Sequence, residues 1–445
     1  LLLSLFAISI FSQTFKFDDS WSEAGFNLTK EDEKGIELIY SIQQFDMQAV
    51  DVKGEEMKSI HLPATLIPND EGAPDLAGSS QFIALPQGAT ARLEVISLRT
   101  EIYQDVEVAP APVIPLDTDD GPLMYNRDER IYSVDAFYPA EPFKLSEKTS
   151  IRGVDAVILG VTPFQYNPVT KELIVYRDVE LQLTFEGGNG HFGDDRYRSR
   201  WFDPILQDQL LNYSSLPEID YHSSGDGKND EYEYVIISPD DPVFLAWADT
   251  LRVFRNMQGI NTGIYTITEV GGNNTAAIET FINNAYNTWT TPPLAFLILA
   301  DYGASGSRIL SPIWDNYCAS DHIYGDVDGS GQADVVMARM TAQNETHLEN
   351  MITKIIDFET NPPTYESFYN PITALGWQTE RWFQICSETI GGFFKNEKGK
   401  IPIRINEVYG GNPNTDPWST ASNTSTILGV FGPSGLGYIP SSPSA

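Results

Sequence analysis

The spacing of apolar residues changes once along this chain, and that change limits what the chain can fold into. From about Thr14 to Tyr213 the apolar residues come in short alternating or β-branched runs: Gly35–Ile42, Gln81–Leu85, Ala91–Leu98, Val154–Val161 and Glu172–Phe185. Clusters of Pro, Gly, Asn and Asp separate them, as at 68–72 (PNDEG) and 110–115. A period of two buries one face of a strand, and runs punctuated by turn residues predict antiparallel sheets in a sandwich-like domain over residues 14–220. Residues 222–230 (HSSGDGKND) hold no apolar side chain, so 221–230 reads as a linker.

After the linker the texture is different. Tyr234–Ser238 is an almost continuous apolar run, as in a strand covered on both faces. Asp241 and Pro242 then supply an N-cap and a first helical residue. Phe244, Trp247, Ala248, Leu251 and Phe254 recur at helical spacing as far as Gly259,. Gly263–Ile267 predicts a second strand, Thr275–Trp289 a second helix and Leu294–Ala300 another buried strand. This βαβαβ order implies a mostly parallel sheet between helices, three layers in all. Leu348, Met351, Ile352, Ile355 and Ile356 make the stripe of a third helix that stops before Pro362. Glu380–Phe394 predicts a fourth, with Ile385, Cys386, Thr389 and Ile390 inward, and Ile403–Val408 one more strand. The expected fold class is therefore α+β multidomain, the second domain occupying residues 231–445. Ligand sites in such sheets form beyond the carboxyl ends of strands, which points to Ser238–Asp241 and Asp301–Gly303.

The chain carries 62 acidic and 28 basic residues, a formal charge of −34. That balance argues against nucleic acid and against docking on anionic lipid, both of which need cationic surfaces. It suits a soluble protein able to bind divalent cations. No internal run of 18 apolar residues suggests a transmembrane helix. Leu1–Phe11 (LLLSLFAISIF) resembles the apolar core of an export signal, so residues 1–13 read as a signal-peptide remnant and the protein as secreted or surface-located. With no Met and no basic start, the text reads as clipped there. Two cysteines, Cys318 and Cys386, are no disulfide framework; they read as inert thiols, though an exported protein can pair them.

The sharpest local pattern is Asp326, Asp328, Ser330, Gly331, Gln332 and Asp334. Oxygen donors fall at positions one, three, five and nine of an EF-hand-like loop, with a Gly at the sharp turn and the Gln332 carbonyl at position seven. Met337 replaces the bidentate Glu of position twelve, so a full EF-hand is excluded. A solitary structural calcium loop and a metal-free Asx-rich turn both remain open. Cys318 and His322 lie close in sequence, but spacing alone does not make a catalytic dyad. Arg196, Arg198 and Arg200 form a basic patch; a solvated turn paired with Asp194, Asp195 and Asp203 is the preferred reading, against a processing site or a segment that engages an acidic pocket. No Gly-x-Ser-x-Gly, His-Glu-x-x-His, P-loop or Cys-x-x-Cys occurs, which leaves serine-hydrolase, zinc-protease and NTPase readings without their motifs.

Several longer stretches resemble the gingipain-type cysteine peptidases in order and spacing: 68–74 (PNDEGAP), 165–173 (QYNPVTKEL), 192–201 (FGDDRYRSRW), Tyr234–Ile237, Asp321–Asp334, Ala338–Gln343 and Phe431–Ile439. Ala338-Arg339-Met340 departs from the Gly-Arg-Leu usual at that strand. The resemblance implies a β-rich prodomain followed by a caspase-like α/β domain, incomplete at its C-terminus, exported through type IX secretion machinery and acting on protein or peptide substrates. It also implies an intramolecular contact between prodomain and catalytic domain. In that family the catalytic His and Cys follow later strands, and the text stops at Ser441–Ala445 before that region. No residue here, Cys318 and Cys386 included, is therefore assigned a catalytic role. Two alternatives share the scaffold: a non-catalytic exported calcium-binding or surface protein, and a protease-like processing component of type IX secretion.

Overall fold

The computed structural model describes residues 12–63, 65, 70–113, 124–219, 232–364, 369–375, 390–391, 394–395, 398–400 and 403–406. In the amino-terminal half, three antiparallel sheets enclose one core. The first pairs Ser12–Lys16, Gln44–Val52 and Glu55–His61. The second pairs Ser79–Ala84, Val154–Val161 and Phe143–Leu145, with Thr149–Ile151 alongside. The third is built on the 16-residue strand Glu172–Gly187, flanked by Phe164–Asn167, Gly35–Ser41 and the long strand Ala89–Tyr103. Leu38, Phe45, Ile83, Leu159, Phe164 and Leu181, all fully buried, belong to this single core. The alternation read from the sequence is the cause: in Glu172–Gly187 every second side chain goes inward for most of its length,.

Two boundaries differ from expectation. Ser12 and Gln13, placed in the leader remnant, open the first strand and pair with Gln48 and Met47; Leu1–Phe11 lies outside the described residues. The strand expected at 91–98 runs from Ala89 to Tyr103. Register shifts at Tyr176/Asp178 and Glu180/Leu181 interrupt its pairing, and a bulge breaks the period of two that sequence reading relies on.

In the carboxyl-terminal half, β1 (Tyr234–Ser238), β2 (Thr262–Thr266), β3 (Ala295–Leu299) and β4 (Val336–Met340) form a parallel sheet in the order β2-β1-β3-β4. Helix α1 (Pro242–Met257) begins at Asp241, whose carboxylate accepts the Val243 N–H at 2.8 Å. With α3 (Glu345–Thr360) it covers one face, where Phe244, Leu251, Leu348 and Ile352 meet Ile236 and Leu297. Helix α2 (Thr275–Thr288) covers the other, where Ile278, Ile282 and Tyr286 meet Val235, Ile237, Phe296 and Ile298. Burial on both faces is why β1 and β3 read as unbroken apolar runs. The strand expected at 403–408 appears as Ile403–Asn406, parallel to Ile372–Leu375. The linker, Cys386, most of the expected fourth helix and Phe431–Ile439 lie outside the described residues. Among the described residues no helix is long and apolar enough to cross a membrane.

Candidate functional site

In this sheet the crossover direction reverses between β1 and β3, because α1 and α2 lie on opposite faces. The crevice beyond their carboxyl ends is where an open α/β sheet binds ligands. Ser238 is fully buried at the end of β1. Beyond it, Ser307 Oγ donates to Asp241 Oδ2 at 2.6 Å, and this bond, helped by the Val243 amide, holds the Asp241 carboxyl below its usual value. Beyond β3, Gln343 Nε2 donates to Asp301 Oδ2 at 2.7 Å. That bond comes first, and the Tyr302 amide second, in lowering the Asp301 carboxyl. Both predicted segments, 238–241 and 301–303, thus reach the same rim, and two carboxylates there are ionised and oriented.

Arg339 of β4 holds the rim together. Its guanidinium meets Asp321 through two bonds of 2.7 and 2.8 Å. It also donates to the carbonyls of Ala300, Ile309 and Leu310 at 3.2, 2.9 and 3.2 Å. The planar fork of arginine suits such a cluster of acceptors. In the sequence Arg339 and Gln343 stand out only as part of the stretch Ala338–Gln343, and Ser307 gives no local signal.

Cys318 lies in an exposed two-stranded hairpin, Ile313–Trp314 against Cys318–Ala319, and its thiol is free. His322 is exposed at the start of the short helix His322–Gly325.

The acidic loop is at the opposite, amino-terminal rim, leading into β4. Single carboxylate oxygens of Asp326, Asp328 and Asp334 lie within 4.8 Å of one another. Gly331 N–H donates to Asp326 Oδ2 at 3.0 Å and Ser330 N–H to Asp328 Oδ1 at 2.9 Å. Asp334 Oδ2 accepts the amides of Val327 and Asp328 at 2.9 and 3.1 Å. Asp334 closes the loop from position nine, so Met337 is left to the strand β4. Burial, reinforced by the neighbouring Asp328 charge, raises the Asp334 carboxyl. Asp326 Oδ1 is buried without a hydrogen-bond donor. Ser330 is exposed and Gln332 half-buried at the mouth of the loop.

The arginine patch corrects the expectation of a solvated turn. Arg198 pairs with Asp203 at 2.7 Å as expected, yet its side chain is buried, whereas Arg200 is exposed and 3.8 Å from Glu233, distant in sequence. Arg196 crosses to the α/β half, donating to the carbonyls of Trp289 and Tyr286 at 2.8 and 3.2 Å. Arg200 donates to the Gly259 carbonyl at the end of α1. The last carbonyls of a helix lack internal partners and attract such donors. Local sequence names nearby carboxylates; it cannot show that helix ends lie nearer.

Comparison with known proteins gives two adjoining matches. The model described as Propeptide_C25 matches residues 26–216, and the model described as Peptidase family C25 matches residues 228–426. Lys-gingipain W83 of Porphyromonas gingivalis is 22% identical over 389 residues, covering 85% of this chain and 22% of the relative. Gingipain R2 of P. gingivalis (strain ATCC BAA-308 / W83) is 23% identical over 313 residues, covering 67% of this chain and 40% of the relative. The chain thus spans less than half the length of either. Among solved structures, the "Complex of Porphyromonas gingivalis RgpB pro- and mature domains" aligns at 22% identity with a TM-score of 0.38, covering 42% of this chain and 97% of that one.

Proposed function

The chain belongs to peptidase family C25 over both its propeptide and its peptidase region, and on that premise we propose that it is the leading part of a secreted, gingipain-like cysteine endopeptidase precursor. One observation carries this reading: a propeptide match ends at residue 216 and a peptidase match begins at 228, so the boundary between them coincides with the apolar-free segment 222–230. The caspase-like form of the α/β half, the sandwich form of the propeptide half and export by type IX machinery belong to the same proposal. We assign the nucleophilic Cys and the general-base His to residues that follow Ala445 in the longer protein. There a thiolate would attack the peptide carbonyl and backbone amides would stabilise the oxyanion. The residues present supply the scaffold: Ser238–Asp241 and Asp301–Gly303 border the crevice in which an extended peptide would lie.

The test is a longer chain continuing past Ala445. Hydrolysis of peptide substrates, abolished by replacing a downstream Cys with Ala and blocked by a thiol-directed inhibitor, supports the proposal. A longer chain with no such hydrolysis after removal of the propeptide region would favour a non-catalytic surface protein.

We also propose that the loop 326–334 holds calcium structurally, through Asp326, Asp328, Ser330, the Gln332 carbonyl and Asp334. The support is the buried, donor-less Asp326 Oδ1 beside two further carboxylates: hard oxygen ligands suit that ion. When bound, calcium would neutralise like charges brought together by folding. Equal melting temperatures in calcium and in chelator would remove this claim.

A further inference from the structure

Among the contacts between the propeptide half and the peptidase half is one fully buried arginine, Arg152. Residues Arg152 and Gly153 form the two-residue turn between Thr149–Ile151 and Val154–Val161, both with positive φ, 45° and 77°. Such a turn matches the twist of a tight antiparallel hairpin. A Cβ on Gly153 would come within 2.6 Å of the Tyr197 ring, so the turn is pressed against its surroundings. It delivers Arg152 out of the propeptide half, where the side chain is 1% exposed. Its Nη1 donates to the carbonyls of Asp334 at 2.8 Å and Pro293 at 3.2 Å, and its Nη2 to that of Pro292 at 3.3 Å. The guanidinium carbon lies 5.3 Å from the Phe202 ring centre and 5.8 Å from that of Tyr286. Arg196 adds the carbonyls of Trp289 and Tyr286, and Tyr197 stacks on Tyr286 with centroids 4.6 Å apart.

The acceptors share one place in the fold. Pro292 and Pro293 precede β3, Asp334 precedes β4, and Tyr286 and Trp289 end α2. All belong to the amino-terminal rim of the parallel sheet. Proline has no N–H, and a Pro-Pro pair favours extended backbone without internal hydrogen bonds. Its carbonyls therefore need a donor from outside, and a buried one left without it carries the full desolvation penalty. Five-residue strands at about 3.3 Å per residue put this rim roughly 16 Å from the crevice at the other end.

We propose that Arg152 is the docking residue of the propeptide region, and that it recognises the peptidase half by its backbone rather than by its side chains. Recognition is of strand-entry carbonyls at the amino-terminal rim, reinforced by Arg196. The peptidase side chains around these carbonyls can therefore change without loss of the contact. The proposal concerns the attachment of one half to the other and stands whether or not the longer protein hydrolyses peptides.

The test uses the full chain with a specific protease site placed within residues 222–230. After cutting, the halves are run on a sizing column at micromolar concentration. The parent co-elutes. Arg152→Met weakens association at least tenfold and the halves separate, whereas Pro292→Ala, which keeps the carbonyl, and Arg92→Ala, far from the rim, still co-elute. Arg196→Met, half-buried and outside the tight turn, weakens association by a smaller factor and decides the matter if Arg152→Met does not fold. Halves that co-elute in both arginine variants overturn the proposal, as does separation caused by Pro292→Ala.

Discussion

The two rims of the parallel sheet are each gathered by arginine, but from opposite sources. At the amino-terminal rim, Arg152 comes from the propeptide half and takes the carbonyls of Pro292, Pro293 and Asp334. At the carboxyl-terminal rim, Arg339 comes from the sheet itself, takes the carbonyls of Ala300, Ile309 and Leu310, and is neutralised by Asp321. The same chemistry thus serves assembly at one end and self-support at the other. A rim held from within has no need of a covering domain, and it is the end where α/β sheets bind ligands. Beyond the fully buried Ser238, the Asp241 and Asp301 carboxylates there are half-buried and ionised.

The largest expected effect separates these roles. Arg339→Met should destabilise the α/β half by roughly 3 kcal/mol in denaturant unfolding, since it leaves Asp321 and several carbonyls without their donor. Arg152→Met should cost the α/β half less than that while loosening domain association. If both variants lower unfolding stability equally and neither separates the halves, the distinction between the rims fails.

A smaller effect is expected at the start of α1. Asp241→Ala removes the N-cap and should cost about 1 kcal/mol, read as a lower thermal midpoint. Ser307→Ala, which removes only the donor to the second oxygen, should cost less. The reverse ranking would mean that Asp241 serves the crevice more than the helix.

These residues also show how much was legible beforehand. Asp241 and Pro242 were readable as a cap, and β1, α1, β3 and α3 as apolar patterns, because cap and burial depend on neighbours within a few residues or on a face repeated along one element. The acidic loop was readable for the same reason: its donors are spaced along nine residues. Arg152 was invisible, since a lone Arg before a Gly marks only a turn. Its role depends on where Pro292 and Asp334 arrive after folding, 140 and 182 residues away. Arg196 was misread for the same reason. Gln343 and Asp301, 42 residues apart, meet only because β3 and β4 are parallel neighbours.

The acidic loop sharpens the comparison further, since it lies at the docked rim. In chelator, Asp334→Asn should melt no lower than the parent, because Asn keeps an oxygen for the Val327 and Asp328 amides and removes a disfavoured charge. In calcium the order should reverse. A lower melting point for the variant in both media would make Asp334 purely a structural acceptor.

The smallest effect is on pH. Burial raises the Asp334 carboxyl above 3.8, so the folded chain holds that proton more tightly than the unfolded one. Its stabilising contribution is present below 3.8 and is lost as pH rises through the raised folded value. Measured in chelator, the parent's melting temperature minus that of Asp334→Asn should therefore fall from pH 3.8 towards neutrality. A flat or rising difference contradicts the assignment.

The central claim is that chemistry belongs to the carboxyl-terminal rim of a C25 peptidase scaffold whose other rim carries the propeptide. A photo-crosslinking, thiol-directed peptide inhibitor bound to a longer chain tests it most directly, with labelled peptides mapped by mass spectrometry. The account predicts labels on 238–241 and 301–303. Labels confined to 286–293 and 326–334, at the docked rim, would contradict it.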